Sequence, residues 1–222
     1  MIYTCESLRA VKSCKILRLI CYHGHMTKAN LLWIDLEMTG LDPAVDQIIE
    51  VGVIATDFNF TDIAEYATAV AADEDFMKRR MVGDFWAKNA ATRDALIAAS
   101  SAAEAKDLTT VESELVQFVQ DNFDLSAPIY LAGNSIHQDC KFIERAWPQL
   151  DGMLSYRMLD VSAWKIIFEH YGVKFTKPEL HRATSDIMGS IDELKYYLKR
   201  VKLPSRGRQA DDEASKTDEQ ED

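Results

Sequence analysis

The chain has 222 residues, 47% of them apolar and 27% charged, with a formal net charge of −11. That length suits one domain with a substantial core rather than two, and no run of about 18 uncharged apolar residues offers a membrane span. Residues 1 to 25 are +3 (Arg9, Lys12, Lys15 and Arg18 against Glu6) and residues 204 to 222 are −4, which leaves −10 for the body; tight non-specific binding to a long nucleic acid, where Lys and Arg must neutralise many phosphates, is excluded on that count.

The opening segment, residues 1 to 25, is basic and short of acids, and its apolar stretch "ILRLICY" is interrupted by Arg18. It is too short for a secretory signal. Two readings stay open, a mitochondrial-type targeting segment or an upstream extension of a chain that starts at Met26; the strand pattern beginning five residues later favours the second, and with it a cytoplasmic setting. Three of the four cysteines, Cys5, Cys14 and Cys21, fall here and only Cys140 in the body, which is no disulfide framework and fits a reducing compartment. "CYHGH" lacks a partner pair at metal-ligand spacing.

In the body, residues 31 to 38 and 47 to 57 read as buried strands rich in Ile and Val, with Asp42-Pro43 opening the loop between them. A third strand over 64 to 70 completes an antiparallel meander. Residues 76 to 122 read as helical, with Val111, Leu115, Val119 and Phe123 at helical spacing. "PIYLAGNS" is a short strand ending on Gly133-Asn134-Ser135, followed by a helix from about Gln138 to Trp147. "YRMLDVS" repeats the strand-helix unit through His170, and Ile187, Ile191, Leu194 and Leu198 stripe a final helix. The order implies one α/β domain over 26 to 203, its mixed sheet built from three antiparallel strands and then parallel ones, with flanking helices. The tail, 204 to 222, has almost no apolar residues and is expected to be disordered.

Three segments carry candidate chemistry. Alternation along a strand puts Asp35 and Glu37 on one face of the first strand, together with the apolar Leu31 and Trp33. Two like charges on a greasy surface repel each other and are desolvated, and a divalent cation between them relieves both costs. Asp139 falls on the same helical stripe as Phe142, Ile143 and Ala146, at the start of its helix, where a capping role is the plain alternative. Asp186 directly precedes the apolar stripe of the last helix. His181, five positions earlier, would lie about 140° round an ideal helix, so it can converge with Asp186 only from ahead of the helix. A histidine so placed suits a general base.

Together these segments resemble the DEDD superfamily of 3′-to-5′ exonucleases in its histidine-bearing branch. "WIDLEMTGLD", "GNSIHQD", "YRMLDVS" and "HRATSDI" followed by "ELKYYL" are similar to oligoribonucleases over roughly residues 28 to 200. The resemblance implies an RNase H-like fold, a homodimer, and hydrolysis of very short RNA, down to dinucleotides, to 5′-mononucleotides. It implies two ions of Mg²⁺ or Mn²⁺ held by Asp35, Glu37, Asp139 and Asp186, with His181 as the base. By matching position, Leu41 would wedge between two bases and Trp86 stack near them. Ser135, Arg157 and Ser162 would hold the 5′-phosphate, and Tyr156 would arrive from a partner subunit. "GDFWAKNA" around Trp86 departs from the family's pattern, and no role attaches to His137. The alternatives are a related exonuclease acting on longer strands, a nuclease-like fold kept as a dinucleotide-binding module, and a metal-dependent phosphatase.

Overall fold

A computed structural model describes residues 28–176 and 182–202. Three strands open it: β1 (Leu31–Met38), β2 (Ile48–Thr56) and β3 (Asp62–Ala69). Four helices follow, α1 (Glu74–Arg80), α2 (Asp84–Lys88), α3 (Ala90–Ser100) and α4 (Leu108–Asn122). Then come β4 (Tyr130–Gly133), α5 (His137–Ala146), the short α6 (Pro148–Asp151), β5 (Met158–Asp160), α7 (Val161–His170) and α8 (Ala183–Leu198). The sheet order is β3-β2-β1-β4-β5. β1 pairs antiparallel with β2 and β2 with β3, whereas β4 runs parallel to both β1 and β5. This is the mixed sheet expected from the sequence.

β1 and β2 lie at the centre of the sheet, and β2 is buried along its whole length. Alternation sends Leu32, Ile34 and Leu36 of β1 into a core with Val111, Leu115 and Val119 of α4 and Phe142 and Ile143 of α5. Leu31 and Trp33 face the other way, toward Val161 of α7 and Ile187, Ile191 and Leu194 of α8. Asp35 and Glu37 share that second face. Opposite them across the antiparallel pair stand Gly52 and Glu50 of β2. A Cβ on Gly52 would come within 2.8 Å of the Ala183 Cβ and 3.0 Å of the Thr184 nitrogen, so the missing side chain is what lets the N-terminus of α8 settle on the sheet.

The stretch 76–122 is not one helical run. Gly83 takes a positive φ of 95° and separates α1 from α2. Between α3 and α4 the chain returns to the sheet edge, where Ala71 N donates to Lys106 O at 2.8 Å. Asp73 and Asp107 cap α1 and α4 by accepting from the nitrogens of Phe76 and Thr110. These caps were available in the sequence, but the apolar spacing alone did not show them. The basic extension expected over 1 to 25, with "CYHGH", the acidic tail from 204 and His181 all lie outside the described residues. Among the described residues, no helix is long and apolar enough to cross a membrane.

Candidate active site

β4 stops at Gly133, opposite the middle of β1, and this leaves the last residues of β1 without a strand neighbour on that side. Asp139 fills the gap: its Oδ1 accepts the Leu36 backbone N–H at 3.0 Å. The carboxyl is buried and sits in the first turn of α5, between the chain positions of Asp35 and Glu37. Above the other face, the first turn of α8 brings in Asp186. Carboxylate oxygens of Asp35, Glu37 and Asp186 lie within 4.8 Å of one another. The site therefore forms at the carboxyl ends of β1 and β4, in the crevice that parallel strand connections leave open.

The electrostatics of this cluster are unfavourable as it stands. Burial, followed by the carboxylates of Glu50, Asp186 and Asp139, pushes the Glu37 carboxyl from its ordinary 4.5 up to about 8, against the lowering effect of Arg182. Burial likewise raises Asp139 to about 7, although the Leu36 N–H favours its charged form. Asp186 Oδ1 is buried without a hydrogen-bond partner, while Oδ2 accepts from Arg182 N at 3.3 Å. An orphaned buried acceptor beside two further carboxylates fits a hard divalent cation, which prefers oxygen ligands. The second possible cation group among the described residues, Cys140, Glu144 and Asp151, is less suited. Burial and Glu144 hold its thiol up at about 11, far from the thiolate a metal needs.

Two ion pairs that the sequence did not reveal support the cluster. Arg182 donates to Glu50 through Nε at 3.1 Å and Nη2 at 2.9 Å, fixing the chain just ahead of α8 to β2. Arg80, at the end of α1, grips Asp46 in the same bidentate manner. Glu50 looked like one more polar residue inside a strand, and only the fold brings residues 132 positions apart into contact.

Beside Glu37 lies a cavity of about 380 Å³, lined in part by Leu41, Arg80, Val82, Phe85 and Trp86. Leu41 is 74% exposed at this cavity. Trp86 is only 7% exposed and packs with Met77, Met81, Leu96 and Ile97, so it is mainly a core residue that presents one edge. Phe85 stands edge-on to it at 4.9 Å.

On the far side of the cluster, Ser135 and Ser162 meet at the ends of β4 and β5. Ser135 takes a positive φ of 51°, a costly conformation for a residue with a side chain. Its N–H donates to Ser162 Oγ at 2.7 Å and to Asp160 Oδ1 at 3.0 Å. His137 joins this corner, with Nδ1 3.7 Å from Asp160 Oδ2. Arg157 lies at the opposite end of β5, its guanidinium 4.8 Å above the ring of Tyr156. Tyr156 is 82% exposed.

A family model for exonucleases of the RNase T type matches residues 32–194. The oligoribonuclease of Chromobacterium violaceum is 36% identical over 175 residues, 76% of this chain and 93% of its own length. The chain belongs to the oligoribonuclease group of the exonuclease family. This exonuclease is also similar to the oligoribonucleases of Nitrosomonas europaea, 37% identical over 76% of the chain and 93% of the relative, and Burkholderia lata, 36% identical over 83% and 90%. Among solved structures, E. coli exonuclease I in a zinc-bound complex with single-stranded DNA superposes with a TM-score of 0.56 at 14% identity, over 78% of this chain. The chain spans about two fifths (41%) of exonuclease I, and at that identity the likeness concerns the RNase H-like fold.

Proposed function

We infer that this exonuclease removes nucleotides from the 3′ end of very short RNA, down to dinucleotides, and releases 5′-mononucleotides. The observation that carries the reading is the convergence of Asp35, Glu37 and Asp186 within 4.8 Å around a buried, unpartnered Asp186 oxygen, with Asp139 locked against β1 beside them. The names of the relatives support the substrate class. Asp35, Glu37, Asp139 and Asp186 would hold two divalent cations, Mg²⁺ or Mn²⁺. Such ions, when bound, lower the pKa of water and neutralise charge on the phosphate and the leaving oxygen. His181 would take the proton of the attacking water in its neutral form.

Substrate length follows from how affinity is obtained. A dinucleotide has one or two phosphates, so counterion release contributes little and the −10 body carries no penalty. Stacking supplies about 1–3 kcal/mol per base, from Leu41 and the aromatic wall at Trp86. Ser135 and Ser162 would receive the 5′-phosphate, and a strand much longer than two nucleotides could not place both ends. Arg157 would join the serines at that phosphate, and Tyr156 would reach it from a second copy of the chain. β5 is an edge strand exposing Met158, and α7 beside it exposes Ile166, Ile167 and Tyr171, an apolar surface of the kind that a homodimer covers. Incubation of 5′-labelled dinucleotides and 20-mers with Mn²⁺, with and without chelator, tests the reading. Metal-dependent cleavage that favours the dimer by a large factor is expected, and equal rates on both lengths would defeat it.

A further inference from the structure

We propose that Arg80 reads the edge of the 3′-terminal nucleobase and makes the exonuclease favour guanine and cytosine over adenine and uracil at that position; the inference rests on the short-RNA reading above. Arg80 lines the cavity beside Glu37, and its guanidinium is set in place by a built platform. Asp46 has a side chain that is fully buried, whereas that of Arg80 is 40% exposed. Asp46 Oδ1 accepts Arg80 Nε at 2.8 Å and Thr39 Oγ1 at 2.9 Å; Oδ2 accepts Arg80 Nη2 and the Asp42 nitrogen, both at 3.0 Å. A Cβ on Gly40 would fall 2.5–2.7 Å from the atoms of this carboxylate, so the loop after β1 can close on Asp46 only because position 40 has no side chain. Arg80, together with these donors, holds the Asp46 carboxyl below its ordinary range, and the pair stays ionised.

A guanidinium has five N–H donors. Asp46 takes two of them, and the Arg80 guanidinium makes no other hydrogen bond among the described residues, so three donors remain. Because the buried carboxylate cancels the charge, Arg80 is poorly suited to capture a phosphate. What remains is a rigid donor fork, whose complement is a base edge with two adjacent acceptors. Guanine offers O6 and N7 on one edge, and cytosine, unpaired in so short a strand, offers O2 and N3; adenine pairs each ring acceptor on those edges with its amino donor, and uracil sets an N–H donor between its two carbonyls. The apolar faces of Leu41, Val82 and Phe85 can cover the ring while its edge meets Arg80.

The layout says which base this is. Ser135 and Ser162 lie at the ends of β4 and β5, and the carboxylates lie at the end of β1. The Arg80 cavity is reached from Glu37 and the loop that follows β1. With the 5′ end at the serines and the scissile phosphate at the carboxylates, the nucleotide that leaves occupies the cavity.

The test compares kcat/KM for ApG, ApA, ApC and ApU in the presence of Mn²⁺. Wild-type protein should cleave ApG and ApC about tenfold better than ApA and ApU, and Arg80→Met should bring the four values together. Since Arg80→Met strands a buried carboxylate, the double variant Arg80→Met/Asp46→Asn repeats the measurement without it and should show the same loss of preference. Wild-type values within twofold of one another would overturn the inference alone. So would a uniform fall on all four substrates with the preference for ApG and ApC retained, since that is what a structural role produces. Failure of wild-type protein to cleave any of the four would overturn the short-RNA reading and this inference with it.

Discussion

Replacing Glu37 by Gln should make the metal-free protein more stable while removing its response to metal. The Glu37 carboxyl has a folded pKa of about 8 against 4.5 in the unfolded chain. Between those values the folded state keeps a proton that the unfolded state releases, so rising pH favours unfolding. The cost starts near pH 4.5, grows through neutrality and is fully developed above pH 8. At pH 7, some 2.5 pH units above the ordinary value, about 1.4 kcal/mol per unit gives roughly 3 kcal/mol. Partial solvent access reduces this to on the order of 2–3 kcal/mol. Glutamine fills the same space without the charge. At about 2–4 °C per kcal/mol for a domain of this size, thermal unfolding in chelator at pH 7 should occur roughly 4–12 °C higher in Glu37→Gln than in wild type. The gap should close at pH 4.5 and reach its maximum at pH 8. Adding Mn²⁺ should raise the wild-type midpoint and leave the variant's nearly unmoved. A variant that unfolds at or below the wild-type temperature at pH 8, or a gap that does not change between pH 5 and 8, would refute the account of the acidic cluster as strained without cations.

Four other outcomes follow from the geometry of the site and from the proposed function. Gly52→Ala drives a Cβ into Ala183 and Thr184 and should cost about 1–3 kcal/mol in urea unfolding, with a larger than proportional loss of kcat because Asp186 moves with α8. Arg182→Met leaves Glu50 inside the site without its partner; a Mn²⁺ titration followed by thermal shift should move to higher metal concentration, and adding Glu50→Gln should restore most of the stability. His181→Ala should keep the metal-induced thermal shift and lose turnover by about 10²–10⁴-fold, while wild-type activity falls below roughly pH 6.5 as the base is protonated. In the homodimer proposed above, Ile167→Glu should give a monomer in light scattering and lower dinucleotide cleavage; a dimer of unchanged mass would remove α7 from the interface.

The sequence was most informative where one strand carried the message. Alternation in β1 put Asp35 and Glu37 on the face of Leu31 and Trp33, and the structure has these apolar residues in the core that α7 and α8 share. The parallel arrangement of β4 and β5 also followed from the strand-helix repeats. What stayed hidden depended on distant partners. Nothing local distinguishes Asp46 from a loop acid or Arg80 from a surface cation at a helix end, and their pairing exists because the loop after β1 folds onto α1. The resemblance has Trp86 stacking near the bases, and only the fold shows that α1 and α3 bury most of it and leave one edge in the cavity. The subdivision of 76–122 was missed for a different reason, since apolar spacing continues across breaks that Gly83 and the two aspartate caps impose.

The third clustered acid is bound to α8, whose Ile187, Ile191, Leu194 and Tyr197 are all held in the core that covers β1. Asp186 can therefore reach its neighbours only after the whole of that helix has docked. A chain still being synthesised has its first two acids early, but the acidic cluster stays incomplete until residues near 198 have emerged. Completion of the cluster thus waits on the docking of the C-terminal helix.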